Sequence, residues 1–195
     1  MNNLPNNETR LRLLDVAEEL FSRRGYAAVK LRDIAEALGM RHASLYYYVP
    51  GGKEQLFVEV MERNLRRHRT GLEQAIAAAG DDLRQQAYAV VAWLLSQPPL
   101  DLARMYHADM PAIDAQRAER LLAMAYDTLR LPIVAMLDRA HATGQIKQMD
   151  LDLAAMALVS LVQSVYTIPA PYRPNPLEPL GRQLADMLLD GWRLH

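Results

Sequence analysis

Between residues 41 and 47 the chain places Arg41, His42, Ala43, Ser44, Leu45, Tyr46 and Tyr47 in succession. A guanidinium, an imidazole and three hydroxyls within seven residues form a dense array of hydrogen-bonding groups. Such an array suits phosphate oxygens and the edges of bases: Ser44 or His42 can bond a base or a phosphate, Ala43 can meet a thymine methyl, and Tyr46 and Tyr47 offer hydroxyls. Arg32, Arg41 and Lys53 flank the cluster and suit phosphate contacts. No comparable catalytic grouping occurs. The chain has no G-x-S-x-G, no glycine-rich phosphate loop and no H-E-x-x-H, so an enzyme is not expected. His107 and Asp109 are the nearest approach to a metal pair and lack a third ligand, so neither a metal nor a cofactor is expected. Cysteine is absent, which excludes disulfides and thiolate metal sites.

The stretch LRDIAEALGMRHASLYYYV, residues 31–49, is what must position these groups. It reads as two short helices joined by a tight turn. Ala35 is small enough for a second helix to cross closely. Gly39 stands where the chain leaves the first helix with positive φ, which glycine adopts without a Cβ penalty. Ile34, Leu38 and Leu45 form the apolar plug between the helices. Successive residues on a helix lie ~100° apart, so Tyr46, Tyr47 and Tyr48 cannot share a face. Tyr48 is expected to turn partly inward beside Leu45, with Tyr46 and Tyr47 outward. This is the pattern of a helix-turn-helix, whose second helix enters the DNA major groove.

The rest of the chain also reads as helical, with apolar residues at helical spacing and no sustained period-two run. The expected fold is all-α, with about nine helices: a three-helix helix-turn-helix domain followed by a larger helical domain. The expected domains are 1–52 and 53–195, with residues 53–79 a linking helix shared by both. A first helix starts at the N-cap Asn7 and stops at Gly25, with Leu13, Leu14, Ala17, Leu20 and Phe21 on one face. Later helices are expected from Asp82 to Pro98, over 102–109, over 114–142 with a kink at Pro132, from Asp150 or Asp152 to Ile168, and over 180–194. Five of the eleven prolines fall in 169–179, which is expected to be a loop.

The net charge of −1 argues against a general nucleic-acid binder. Residues 1–69 nonetheless hold 12 Lys+Arg against 9 Asp+Glu, and residues 70–195 hold 10 against 14. A basic head on an acidic body suits a protein that presents one end to phosphates. The N-terminal MNNLPNNETR has no apolar run and does not read as a signal peptide. The most apolar stretch, 151–168, is shorter than the ~20 residues a bilayer span needs, so a cytoplasmic protein with no membrane partner is expected.

The N-terminal third resembles the TetR family of bacterial transcriptional repressors. The resemblance rests on Leu20-Phe21, Gly25-Tyr26, Ile34-Ala35, Gly39, Leu45-Tyr46, Tyr48, Pro50 and the Lys-Glu-x-Leu run Lys53–Leu56, at fixed spacing over about residues 9–60. Three positions depart from it. Val49 replaces the usual phenylalanine, Gly51-Gly52 lengthens the link to the lysine by one residue, and Lys30 stands where a Ser or Thr commonly caps the second helix. The resemblance implies a homodimer that binds a palindromic double-stranded DNA operator and is released by a small apolar or amphipathic effector. It also implies that the last two helices of each subunit form a four-helix dimer interface, with Leu158, Leu161, Val165, Leu184, Leu188 and Trp192 in it. The methionine-rich C-terminal part suggests an effector cavity lined by Trp93, Met105, Tyr106, Met110, Tyr126, Met156 and Gln163. The same residues at helical spacing equally well fill an ordinary core. A helical interaction or ligand-binding module without DNA binding, and a small helical enzyme, stand as alternatives.

Overall fold

The structure, a computed structural model, describes residues 7–97 and 102–192. Among these residues there are nine α-helices and no strand. The first helix, α1 (Asn7–Ala28), leaves the helical path at Gly25, where φ is 77° and ψ is 166°. α2 (Leu31–Ala37) and α3 (His42–Tyr48) follow, separated by Gly39 at φ 67°. The turn closes when Met40 N–H bonds to Ala35 O at 2.8 Å.

Lys30 supplies no side-chain cap to α2. The cap comes instead from three residues on, where Asp33 Oδ2 accepts the Lys30 N–H at 2.9 Å. That bond is the main reason the Asp33 carboxyl sits below its ordinary pKa, with Arg32 assisting. The lengthened link also folds tightly: Gly52 N–H bonds to Val49 O at 3.0 Å and begins α4 (Gly52–Ala78). Val49 is buried, so the smaller residue still fills a core position.

Asp82 caps α5 (Leu83–Ser96), accepting the Gln85 N–H at 2.8 Å. The single short helix expected over 102–109 is in fact two pieces: α6 (Leu102–Arg104), then a π-helical turn over Met105–Asp109. α7 (Ala115–Ala142) continues through Pro132 as one helix. Asp150 caps α8 (Leu151–Gln163), which gives way to a 3-10 turn before Ile168. The proline-rich stretch, expected to be a loop, holds a 3-10 turn at Ala170–Tyr172, and its last residues already begin α9 (Glu178–Trp192), which ends the described chain.

The chain divides into two compact units. One lies within Met1–Leu65 and Leu100–Ala125, the other within Arg66–Pro99 and Tyr126–His195. The core of the first joins Leu13, Phe21, Ile34, Leu45 and Phe57 to Met105, Met110 and Leu121. The helix-turn-helix therefore packs around side chains delivered from far along the sequence. In the second unit α5, α8 and α9 pack together, closely enough that a Cβ on Gly181 would stand 2.7 Å from Val91 Cγ1.

Candidate nucleic-acid interface

The site is built on α3. Leu45 is its one buried residue and anchors the helix against α2. A single inward position leaves the other side chains at the surface: His42, Ala43 and Ser44 are exposed in the first turn, and Arg41 is exposed just before it. Tyr46 and Tyr47 are 50% and 62% exposed, while Tyr48 is half-buried. Ring contacts fix the aromatic groups. His42 meets Tyr46 edge-on at 5.1 Å, and Tyr47 meets Tyr48 edge-on at 5.4 Å. Arg32 is exposed on α2, 3.6 Å from the Asp33 carboxylate.

Lys53 is placed differently from a surface cation awaiting phosphate. Its Nζ donates to Tyr26 O at 3.0 Å and lies 4.0 Å from the centre of the Tyr26 ring. Burial lowers its pKa. The lengthened Gly51-Gly52 link precedes a lysine that reaches inward to the end of α1, just past its break at Gly25. The N–H of the same Tyr26 donates to Asp109 Oδ1 at 2.7 Å. Asp109 is buried, and its other oxygen lies 3.6 Å from Arg104 Nε. A Cβ on Gly25 would stand 3.2 Å from Asp109 Oδ1, so the glycine serves both its φ of 77° and this close approach. Sequence reasoning treats Asp109 only as half of a metal pair. Its partner lies 83 positions away, and no local pattern announces it. Among the described residues no group of three or more His, Asp or Glu could hold a metal.

The seven candidate effector residues are distributed over both units. Met105 and Met110 are buried in the core of the first unit. Tyr106 and Met110 line an open cleft there of about 590 Å³, with Ile113, Ala118 and Leu122. Trp93, Tyr126, Met156 and Gln163 belong to the second unit. Tyr126 is exposed with the Arg130 guanidinium 4.8 Å from its ring, and Trp93 packs on Gly71. A larger cleft in that unit, about 740 Å³, is lined instead by Arg69, Glu73, Leu131, Pro132, Asp138 and Arg139, among others. Methionine at helical spacing fills a core as readily as it lines a cavity, which is why the pattern did not separate the two.

The candidate dimer residues also divide. Leu158 and Val165 are buried inside their own unit. Leu161, Leu184, Leu188 and Trp192 are half-buried, and on the same two helices Leu153 and Met187 are 69% and 71% exposed.

Residues 13–60 match the bacterial regulatory proteins of the tetR family, and residues 81–188 match the C-terminal domain of AefR-like transcriptional repressors. The chain belongs to the TetR family. It is a helix-turn-helix transcriptional regulator, not an enzyme. The transcriptional activator FasR of Mycolicibacterium smegmatis is 33% identical over 92 residues, which cover 47% of this chain and 42% of that protein. The transcriptional repressor KstR2 of Rhodococcus jostii is 38% identical over 82 residues, covering 42% and 39%. The chain thus spans about two-fifths of the length of these two curated relatives. The TetR-family regulator PfmR of Thermus thermophilus superposes with a TM-score of 0.71 at 25% identity, over 92% of this chain and 97% of that one. Among the described residues no helix of this TetR-family regulator is long and apolar enough to cross a membrane.

Proposed function

We propose that this regulator is a repressor that binds a palindromic operator as a homodimer and leaves it when a small apolar or amphipathic effector binds. The observation that carries the reading is the outward face of α3, where Ala43, Ser44, Tyr46 and Tyr47 stand exposed around a single buried leucine. Ala43, Ser44 and His42 face bases, Tyr46 and Tyr47 face bases or phosphates, and Arg32 and Arg41 neutralise phosphates. Lys53 steadies the head through Tyr26. One seven-residue helix reads few base pairs, and two-fold symmetry doubles the contacts. Exposed Leu153 and Met187, with Leu161, Leu184 and Leu188, supply an apolar face for pairing.

The effector acts by binding better to a dimer whose heads are spaced wrongly for the operator. A coupling of ~1–3 kcal/mol gives 5- to 150-fold release. Residues 53–195 carry the effector and dimer functions, and α4 is the element common to both units. The cleft beside Tyr106 and Met110 is one seat for an apolar ligand. The neighbouring π-helical turn also carries Asp109, so a ligand there bears directly on the end of α1 at Tyr26.

Gel-shift and footprinting with the DNA upstream of its own gene test the reading. The expected result is one protected palindrome whose affinity falls steeply with salt as counterions are released. Equal affinity for all duplexes, or none, would overturn it.

A further inference from the structure

α3 is seven residues long, too short to hold its shape in isolation. Its first turn is set by the Gly39 turn and its middle by Leu45. What holds its far end sets the angle at which Tyr46 and Tyr47 meet a duplex. At that end the carbonyl of Tyr48, the last residue of α3, accepts a hydrogen bond from Arg10 Nη1 at 2.7 Å. The other terminal nitrogen, Nη2, pairs with Glu59 Oε2. One guanidinium on α1 therefore ties the C-terminus of α3 to α4. The side chains are 24% and 35% exposed, so the pair is partly shielded from water. Arginine fits the task because its planar fork serves two acceptors in fixed directions, which an ammonium does not. A cation at a helix C-terminus is also favoured by the helix dipole.

We propose that Arg10, oriented by Glu59, is a positioning residue for the recognition helix, with no contact to DNA of its own. An arginine near the start of a basic head would otherwise be taken for a phosphate contact. Here both terminal nitrogens point inward to protein acceptors. The proposal rests on the operator-binding reading for its functional effect, and its structural half can be measured without DNA.

The test uses the full chain with Arg10→Gln, Arg10→Lys, Glu59→Gln and the Arg10→Gln/Glu59→Gln double variant. Hydrogen–deuterium exchange of residues 42–49 reads the anchoring directly. It should rise in Arg10→Gln, with melting temperatures showing that each variant is folded. Unchanged exchange in α3 overturns the proposal whatever DNA does. Affinities for the footprinted operator and for a scrambled duplex, from about 50 to about 200 mM salt, read the consequence. Arg10→Gln should weaken operator binding about tenfold, the scale of a charge-assisted hydrogen bond, with scrambled-duplex affinity and salt slope unchanged. Arg10→Lys should not restore it. Glu59→Gln should lose part of the same discrimination, and the double variant should be no worse than Arg10→Gln alone. Parallel loss on both duplexes with the slope reduced by about one would make Arg10 a phosphate contact instead. Intact operator binding by folded variants would reduce it to a structural residue. If the wild type binds no operator, the operator reading fails, and the exchange data alone decide whether Arg10 anchors α3.

Discussion

At the scale of single side chains, the proposed reading divides the head into groups that meet DNA and groups that hold those groups still. Ser44→Ala and Tyr47→Ala remove hydrogen-bonding groups from the outward face of α3. Each should lower operator affinity about fivefold, the worth of ~1 kcal/mol for one hydrogen bond, with little change on scrambled DNA, as titration of both duplexes would show. Lys53→Met should act on stability, because the Nζ bond to Tyr26 O is internal. Its urea midpoint should fall while the salt slope of DNA binding stays put. Asp33 gives a pH signature. Its carboxyl pKa is lowered in the fold, chiefly by the Lys30 N–H. The stabilisation is therefore complete above the unfolded value of about 3.9 and is lost as pH falls through the lowered folded value. Asp33→Ala should unfold at lower urea than wild type at neutral pH, and the gap should close in acid. The orientation of Tyr46 and Tyr47 was legible from the ~100° spacing of helix positions. The inward turn of Lys53 and the grip of Asp109 were not, because each depends on a partner that only the tertiary fold brings near.

At the scale of elements, local chemistry wrote most boundaries into the sequence. Gly25 breaks α1, Gly39 ends the turn after α2, and Asp82 and Asp150 start α5 and α8. The π-helical turn at 105–109 had no such mark. Its wider hydrogen-bond spacing carries no residue signature, and helical periodicity alone reads it as α. The burial of Met105 and Met110 in the core of the first unit was equally hidden. Close contacts between helices give a sharper test. A Cβ on Gly71 would fall 1.9 Å from Trp93 Cζ2. Gly71→Ala must displace a rigid indole and should cost about 1–3 kcal/mol, read by urea denaturation with a shift in tryptophan emission. Gly39→Ala meets no neighbour within 4 Å, so its cost, about 1–2 kcal/mol, comes from the positive φ alone.

For the whole molecule, the proposed repressor works as two copies that meet on one face. The all-α class, the nine helices among the described residues and the family were legible from periodicity and from the motif over residues 9–60. The proposed dimer face was not legible residue by residue, since helical spacing alone does not say that Leu158 and Val165 turn inward while Leu161 and Met187 do not. Met187→Lys and Leu161→Glu should dissociate the proposed dimer, seen by sedimentation, and should weaken operator binding at least as much. A monomer that still protects a full palindrome would contradict the pairing scheme. The discontinuous first unit also bears on how this protein can be re-engineered. A chimera that grafts residues 7–65 onto a foreign sensor would strand the Tyr26 amide without its acceptor and leave voids where Met105, Met110 and Leu121 belong. The DNA reader is thus not a portable cassette: it travels intact only when the 102–125 segment is transplanted with it.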